Sequence, residues 1–223
     1  MKIFQKVISI ILTISLPFLI ILSVIRLVLT PVFLEVEYRT PGFPPDQFGF
    51  SREDRLIWSK VSLNYLVNDA GIEFLNSQKL PGGEPLYNSR ELLHMQDVKI
   101  LTKAAIAIWY GLGVIFILAT VWSLRNRSRK GFWHVIKNGG WLTIGFVFLV
   151  LIGVMMSFDA LFTGFHRIFF KGDTWLFLYS DTLIRLFPER FWQDVFLVIG
   201  GLSVGLALLA IIVSRKFIVK SEK

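Results

Sequence analysis

Two histidines carry most of the chemistry open to this sequence. His94 sits in the run Arg90-Glu91-Leu92-Leu93-His94-Met95-Gln96-Asp97-Val98-Lys99. On a helix, Glu91, His94 and Asp97 fall near one face, and Arg90 joins its edge one turn before His94. A histidine beside two acids and an arginine suits proton transfer near neutral pH. His166 lies in Phe158-Asp159-Ala160-Leu161-Phe162-Thr163-Gly164-Phe165-His166-Arg167-Ile168-Phe169-Phe170. Phe158, Leu161, Phe162, Phe165 and Phe169 recur at helical spacing, so His166 is expected to be partly desolvated among rings. The third histidine, His134, falls in a basic loop and reads as solvated or lipid-facing.

Metal chemistry fits these residues poorly. Glu91-x-x-His94 has the spacing of a di-iron ligand pair, but a second Glu-x-x-His is missing from the sequence. No His-Glu-x-x-His occurs either. The chain has no Cys, which excludes disulfides, a thiol nucleophile and Cys-ligated zinc or iron–sulfur centres. Neither a metal nor a cofactor is expected.

The elements that must position the histidines are membrane helices. Of the 223 residues 54% are hydrophobic and only 18% charged, with 21 Phe and 7 Trp. Mean hydropathy is +0.60. A soluble domain carries more charge, so lipid is the expected solvent. Four uncharged runs are long enough to cross a bilayer core, which takes roughly 20 helical residues: 7–25, 104–124, 141–158 and 195–213. Lys2 and Lys6 give the first run the basic start of a signal peptide. Its length, and the lack of a small-x-small site after Arg26, favour a retained span, which Pro17 should kink. The expected fold is all-α: one membrane domain over 1–223, a four-transmembrane-helix bundle with a helical and loop segment projecting between spans 1 and 2.

Charge sets the direction. Lys2, Lys6, Arg125, Arg127, Arg129, Lys130, Lys137, Arg215, Lys216, Lys220 and Lys223 are 11 of the 24 basic residues, and Glu222 is the one acid among them. This bias puts both termini and the 2–3 loop in the cytoplasm of a multi-pass plasma-membrane protein. The net charge of +8 is then a topology signal and a contact for anionic lipid heads, and a nucleic-acid partner is not expected. Segments 30–103 and 159–194 fall on the outer side, with both His94 and His166.

The outer segments have readable parts. Pro31 to Pro45 reads as an extended, acidic linker. Ser51 caps a helix with Glu53 and Asp54 in its first turn. Leu56, Ile57, Trp58, Val61, Tyr65 and Leu66 make its apolar packing face. Leu80 to Asn88 is a loop. Asn88 or Ser89 caps a helix running straight into the second span. Beyond His166, the third span extends or re-enters at the interface, Lys171-Gly172-Asp173 turns, and Trp175, Phe177, Tyr179, Phe187 and Trp192 resemble an aromatic belt. Asp181 and Arg185, one turn apart, are placed to pair. Arg26 ends the first span, where it snorkels to headgroups or contacts a substrate carbonyl or an inner acid. Gly111, Gly113, Gly201 and Gly205 are expected at close helix contacts.

Two motifs then carry a resemblance. Glu91-Leu92-Leu93-His94-Met95-Gln96-Asp97-Val98-Lys99 resembles the E-x-x-H-M-x-D-V-K signature of a bacterial four-pass membrane family. Phe165-His166, Phe170, Asp173-Thr174-Trp175, Leu183-Ile184 and Phe187-Pro188-Glu189 resemble its second signature. The family includes the lipoprotein intramolecular transacylases, Lit. The resemblance implies an acyltransferase acting on diacylglyceryl-modified lipoproteins. The sn-2 acyl chain would move from glycerol oxygen to the α-amino group of the lipidated Cys. It also implies catalytic roles for His94 and His166. Glu91, Asp97, Arg90, Arg26, Asp173 and Trp175 are the further residues expected to support them or bind substrate.

The chemistry of that reaction agrees with the residues. The substrate brings both nucleophile and ester, so no enzyme Ser or Cys is needed. Its amine, with a pKa of about 7.7–8.0, must lose a proton. His94, oriented by Glu91 or Asp97, is one base for this step; the division of work between the two histidines stays open. His166, Arg90 and Arg26 are candidates to stabilise the oxyanion. The alternative is a non-enzymatic membrane scaffold that binds partners through its outer segments. A transporter is disfavoured, because the spans carry no charge at mid-depth.

Overall fold

The computed structural model describes residues 2–125 and 129–220, with the side chains of Lys2, Arg129 and Lys220 left outside the description. Arg127, Glu222 and Lys223, counted in the charge bias, lie outside the described residues. The described chain is helical: α1 (Lys2–Val28), α2 (Pro31–Glu37), α3 (Arg52–Val67), α4 (Glu73–Asn76), α5 (Ser89–Arg125), α6 (Arg129–Met156), α7 (Phe158–Phe169), α8 (Thr182–Leu186) and α9 (Glu189–Lys220). Among the described residues, four of these, α1, α5, α6 and α9, are long and apolar enough to cross a membrane. They contain the four expected runs, except that the third stops at Met156. Ser157 caps a new helix there, its side chain accepting the N–H of Ala160, so Phe158 belongs to α7.

The described chain divides into two compact units, each discontinuous in sequence. One holds the described residues of Met1–Arg26, Ile106–Met155 and Leu197–Lys223; the other holds Leu27–Ala105 and Met156–Phe196.

The first unit is a four-helix bundle. Leu12, Leu16 and Ile20 of α1, Phe116 of α5, Val135 of α6 and Ala207 of α9 form its buried core. Apolar residues also cover its outside: Ile117 is 64% exposed and Leu149 66%, as suits helices solvated by lipid. Close contacts fall on glycines other than those expected. A Cβ at Gly139 would stand 2.7 Å from Leu16, and one at Gly140 would stand 2.7 Å from Ile211. Gly111, Gly113, Gly201 and Gly205 face open space. Small residues matter only where a neighbouring helix approaches, and periodicity does not say which face that is. His134 sits in the second turn of α6, not in a loop, with Nδ1 2.8 Å from the Lys130 carbonyl.

The second unit corrects three expectations. The stretch from Pro31 begins as a helix, since Thr30 caps it and Pro31, with φ preset, takes its first position. Only the chain after Glu37 is irregular. α3 starts at the expected capping box of Ser51 and Asp54. Its buried side, however, is partly polar: Arg55, Ser59 and Ser62 are buried while Ile57 is exposed. These polar groups have local partners: Arg55 donates to the Pro44 carbonyl beneath the Tyr38 and Phe43 rings, and Ser62 bonds the Tyr87 hydroxyl. Asp181 and Arg185 do not pair. Arg185 forms a two-point bond with Asp46 and stacks on Phe50, whereas Asp181 binds Arg90. The apolar core joins α3, α4, the 80–88 loop, α5 and α8 through Tyr65, Leu75, Leu86, Tyr87, Met95, Leu183 and Leu186.

Candidate active site

His94 is placed by the way α5 begins. Asn88 and Glu91 form a reciprocal cap: the Asn88 side chain accepts the Glu91 N–H at 3.0 Å, and the Glu91 carboxylate accepts the Asn88 N–H at 2.8 Å. With 37 residues, α5 is roughly 55 Å long, well beyond the ~30 Å hydrocarbon core. Its first turns carry Arg90, Glu91, Asp97, Lys99 and Lys103, so the apolar run 104–124 is the membrane-crossing part. His94 lies before it. Lys99 and Lys103 fasten these turns to the end of α3 by donating to the Ala70 and Val67 carbonyls.

His166 comes from α7, one turn after Phe162. Its Nδ1 is 2.8 Å from the Phe162 carbonyl oxygen. A carbonyl only accepts, so Nδ1 carries the proton, and in the neutral ring Nε2 holds the lone pair. Phe170 ends α7 in an extended conformation, and Gly172, at φ +72°, reverses the chain. That turn carries Trp175 back over His166, and its indole N–H closes the loop on the Gly172 carbonyl.

The two imidazoles meet. Their ring centroids are 5.9 Å apart and their planes 23° from parallel. Aromatic rings enclose the pair: Phe170 and Phe177 meet His94 edge-on at 5.0 and 5.3 Å, while Phe162 and Trp175 cover His166 at 4.1 and 5.0 Å. His94 is 7% exposed and His166 8%. Burial, with a smaller contribution from His166, lowers the His94 pKa to about 4. Burial likewise lowers that of His166, against the opposing bond to Phe162. Both rings are therefore neutral at pH 7. The His94 Nδ1 is buried with no hydrogen-bond partner among the described residues.

The expected carboxylate partner of His94 is committed elsewhere. Glu91 is 1% exposed, and its second oxygen accepts the N–H of Leu183 at 2.6 Å. Burial raises its pKa, against the N–H bonds from Asn88 and Leu183 that favour the anion. Asp97 is half-buried one turn below His94 and makes no hydrogen bond to either histidine. Arg90 donates to Asp181 at 3.0 Å, which also holds Asn88 and the N–H of Leu178, while Thr182 donates to the Leu86 carbonyl. The belt of Asn88, Arg90, Glu91, Asp181 and Thr182 thus fastens the strap from Leu178 to Leu183 onto the start of α5. Sequence reasoning missed Asp181 as a partner of Arg90, and it missed Phe170 and Phe177 as walls beside His94; no local spacing announces contacts between segments so far apart in the chain. Asp173 is exposed in the turn, and Arg26 is half-buried in the last turn of α1 in the bundle.

Among the described residues, no group of three or more His, Asp and Glu is arranged to hold a metal ion. Gly201-Leu202-Ser203-Val204-Gly205 spells a hydrolase nucleophile elbow. It lies in the middle of α9, with Ser203 fully buried, and not on the strand-to-helix turn that such a nucleophile requires.

Fold and site define a class: a four-span membrane protein with a second unit that pairs two neutral imidazoles in an aromatic cage. Residues 10–192 match the model of the family Lit, lipoprotein intramolecular transacylase. A protein of Aquifex aeolicus (strain VF5), described as uncharacterized, is 32% identical over 219 residues, covering 96% of this chain and 97% of its own. The membrane integral lipoprotein intramolecular transacylase Lit from Bacillus cereus shares the fold, with a TM-score of 0.84 at 20% identity over 100% of this chain and 99% of that one. A histidine-to-alanine variant of that protein superposes at a TM-score of 0.76, also at 20% identity, over 99% of this chain and 96% of its own. The chain belongs to the Lit family, a family of membrane transacylases.

Proposed function

We propose that this enzyme moves the sn-2 acyl chain of a diacylglyceryl-Cys lipoprotein to the α-amino group of that Cys, on the outer side of the plasma membrane, with both termini in the cytoplasm. The observation that carries the reading is the pairing of His94 and His166 within one aromatic cage. A scaffold gains nothing from burying two imidazoles against each other.

The hydrogen bond to Phe162 supports His166 as the base, in place of His94. It leaves the Nε2 lone pair free to take the proton from the attacking amine. His94 has its Nδ1 buried without a partner. A buried N–H donor without a partner is rarer than an acceptor without one, which favours the tautomer with Nε2–H. That donor is suited to the oxyanion of the tetrahedral intermediate. As the amide N–C bond forms and the ester C–O bond breaks, the proton taken by His166 passes to the glycerol oxygen. Atoms and charge balance with no outside reagent. Glu91 and Arg90 position the strap from Leu178 to Leu183, which follows the turn bearing Trp175; Asp97 and Asp173 are the remaining candidates for substrate contacts in this unit.

The test is mass spectrometry of a reporter lipoprotein from cells producing each variant. His94→Ala and His166→Ala should leave the diacyl form unconverted. Full conversion by both variants removes the histidines from the mechanism and returns the scaffold reading.

A further inference from the structure

Within the four-helix bundle, α1 and α6 start side by side. A Cβ on Gly139 would meet Leu16 and the Thr13 carbonyl, and between the first turns of the two helices a groove of about 420 Å³ opens. That size falls in the range of about 300–1,000 Å³ usual for small-molecule sites. Its polar lining comes from Lys6, Ser9 and Thr13 of α1 and from His134 and Asn138 of α6, and no acid lines it.

The lining has a defined chemistry. Among the described residues, the Lys6 ammonium and the Asn138 side chain make no hydrogen bond or ion pair. Ser9 and Thr13 donate their hydroxyl hydrogens back to the Gln5 and Ser9 carbonyls, at 2.9 and 2.8 Å, so each offers the groove an oxygen lone pair. His134 Nδ1 is 2.8 Å from the Lys130 carbonyl, so Nδ1 carries the proton and Nε2 is left for a ligand. α6 begins at this end, and the positive end of its dipole adds to the charge of Lys6. A cation without a counterion, set beside hydrogen-bond acceptors, suits an anion that carries hydroxyl groups.

That anion must also carry hydrocarbon. Ile10 and Ile14 line the same groove and are 50% and 52% exposed. Both belong to the uncharged run 7–25 that crosses the bilayer. From Lys6 to Ile14, α1 rises roughly 12 Å, from headgroup level into the hydrocarbon. A soluble phosphate would leave that apolar length bare. A phospholipid presents phosphate and acyl chain in the same order as the groove presents Lys6 and the two isoleucines.

We propose that this groove binds one anionic phospholipid with a hydroxyl-bearing headgroup, of the phosphatidylglycerol class. Its phosphate rests on Lys6, a headgroup hydroxyl donates to Nε2 of His134, and its ester oxygens accept from the Asn138 amide. An acyl chain follows Ile10 and Ile14. The lipid fastens the start of α1 to the start of α6. Every residue of the groove lies in the bundle and none in the histidine cage, so the site stands or falls apart from the transacylase reading.

The test uses the full chain in detergent, given equimolar dioleoyl phosphatidylglycerol and dioleoyl phosphatidylcholine and read by native mass spectrometry. Wild type should retain one phosphatidylglycerol several-fold more often than phosphatidylcholine. Lys6→Gln and His134→Phe should each reduce that preference several-fold. Lys216→Gln removes a charge near Phe217, which stacks on Trp133 at the same end of the bundle, without touching the groove, and should keep it. Equal retention of the two lipids by wild type overturns the proposal. So does an equal loss in Lys6→Gln and Lys216→Gln, because the lipid would then answer to net charge alone. Displacement of the lipid by glycerol phosphate at matched concentration also overturns it, because the occupant would then be a soluble anion.

Discussion

The carboxylate of Glu91 accepts the backbone N–H of Leu183 at 2.6 Å, across 92 residues of sequence. With its other oxygen on the Asn88 N–H, one buried side chain caps α5 and anchors the strap that closes the histidine cage.

Replacing Glu91 tests that arrangement. Glu91→Ala leaves two N–H groups without their acceptor, at about 1–3 kcal/mol each. The melting temperature in detergent should fall, and lipoprotein conversion should fall with it although both histidines remain. Glu91→Gln keeps one acceptor and should fall between wild type and Ala on both measures. Lost conversion at an unchanged melting temperature would instead place Glu91 in the chemistry.

The buried imidazoles predict the pH profile. Burial lowers both pKa values, that of His94 to about 4. A lowered pKa keeps a base neutral to lower pH. Conversion rates should therefore not show an acid limb near 6.5, the value for an exposed histidine. Trp175→Ala opens the cage beside His166 to water. It should slow conversion and move the acid limb up toward 6.5; slowing with no shift would mean that Trp175 only packs.

Glu37 predicts a pH-dependent stability. It is 3% exposed at the end of α2, and burial, reinforced by the neighbouring Asp194, raises its pKa from 4.5 to about 7. A carboxyl raised on folding contributes stability below its unfolded value that is lost as pH rises through about 7, worth up to about 3 kcal/mol. The melting temperature should decline between pH 5 and 8, and Glu37→Gln should flatten that decline. Parallel curves for the two proteins would remove Glu37 as the titrating group.

The glycine contacts predict an asymmetry in the bundle. Gly140→Val meets Ile211 and the Ala207 carbonyl and should destabilise by about 1–3 kcal/mol, whereas Gly113→Ala, in open space, should be near neutral. Thermal unfolding of the detergent-solubilised variants decides it. Equal losses would contradict the packing of α6 on α9.

The sequence alone determined the four spans, because about 20 uncharged residues have no low-energy alternative to crossing lipid. It also determined the helical spacing around His94 and His166, a helix start capped by Asn88 or Ser89, and the family. Each is a local pattern, set by neighbours within a few residues. Only the tertiary structure decided the partners. Glu91 turned from His94 to Leu183, Asp181 from Arg185 to Arg90, and the tight glycines proved to be Gly139 and Gly140. The reason is common to all three: a buried polar group or a bare backbone takes whichever neighbour folding brings to it. For the two histidines that neighbour was each other, 72 residues apart in sequence and 5.9 Å apart in the cage.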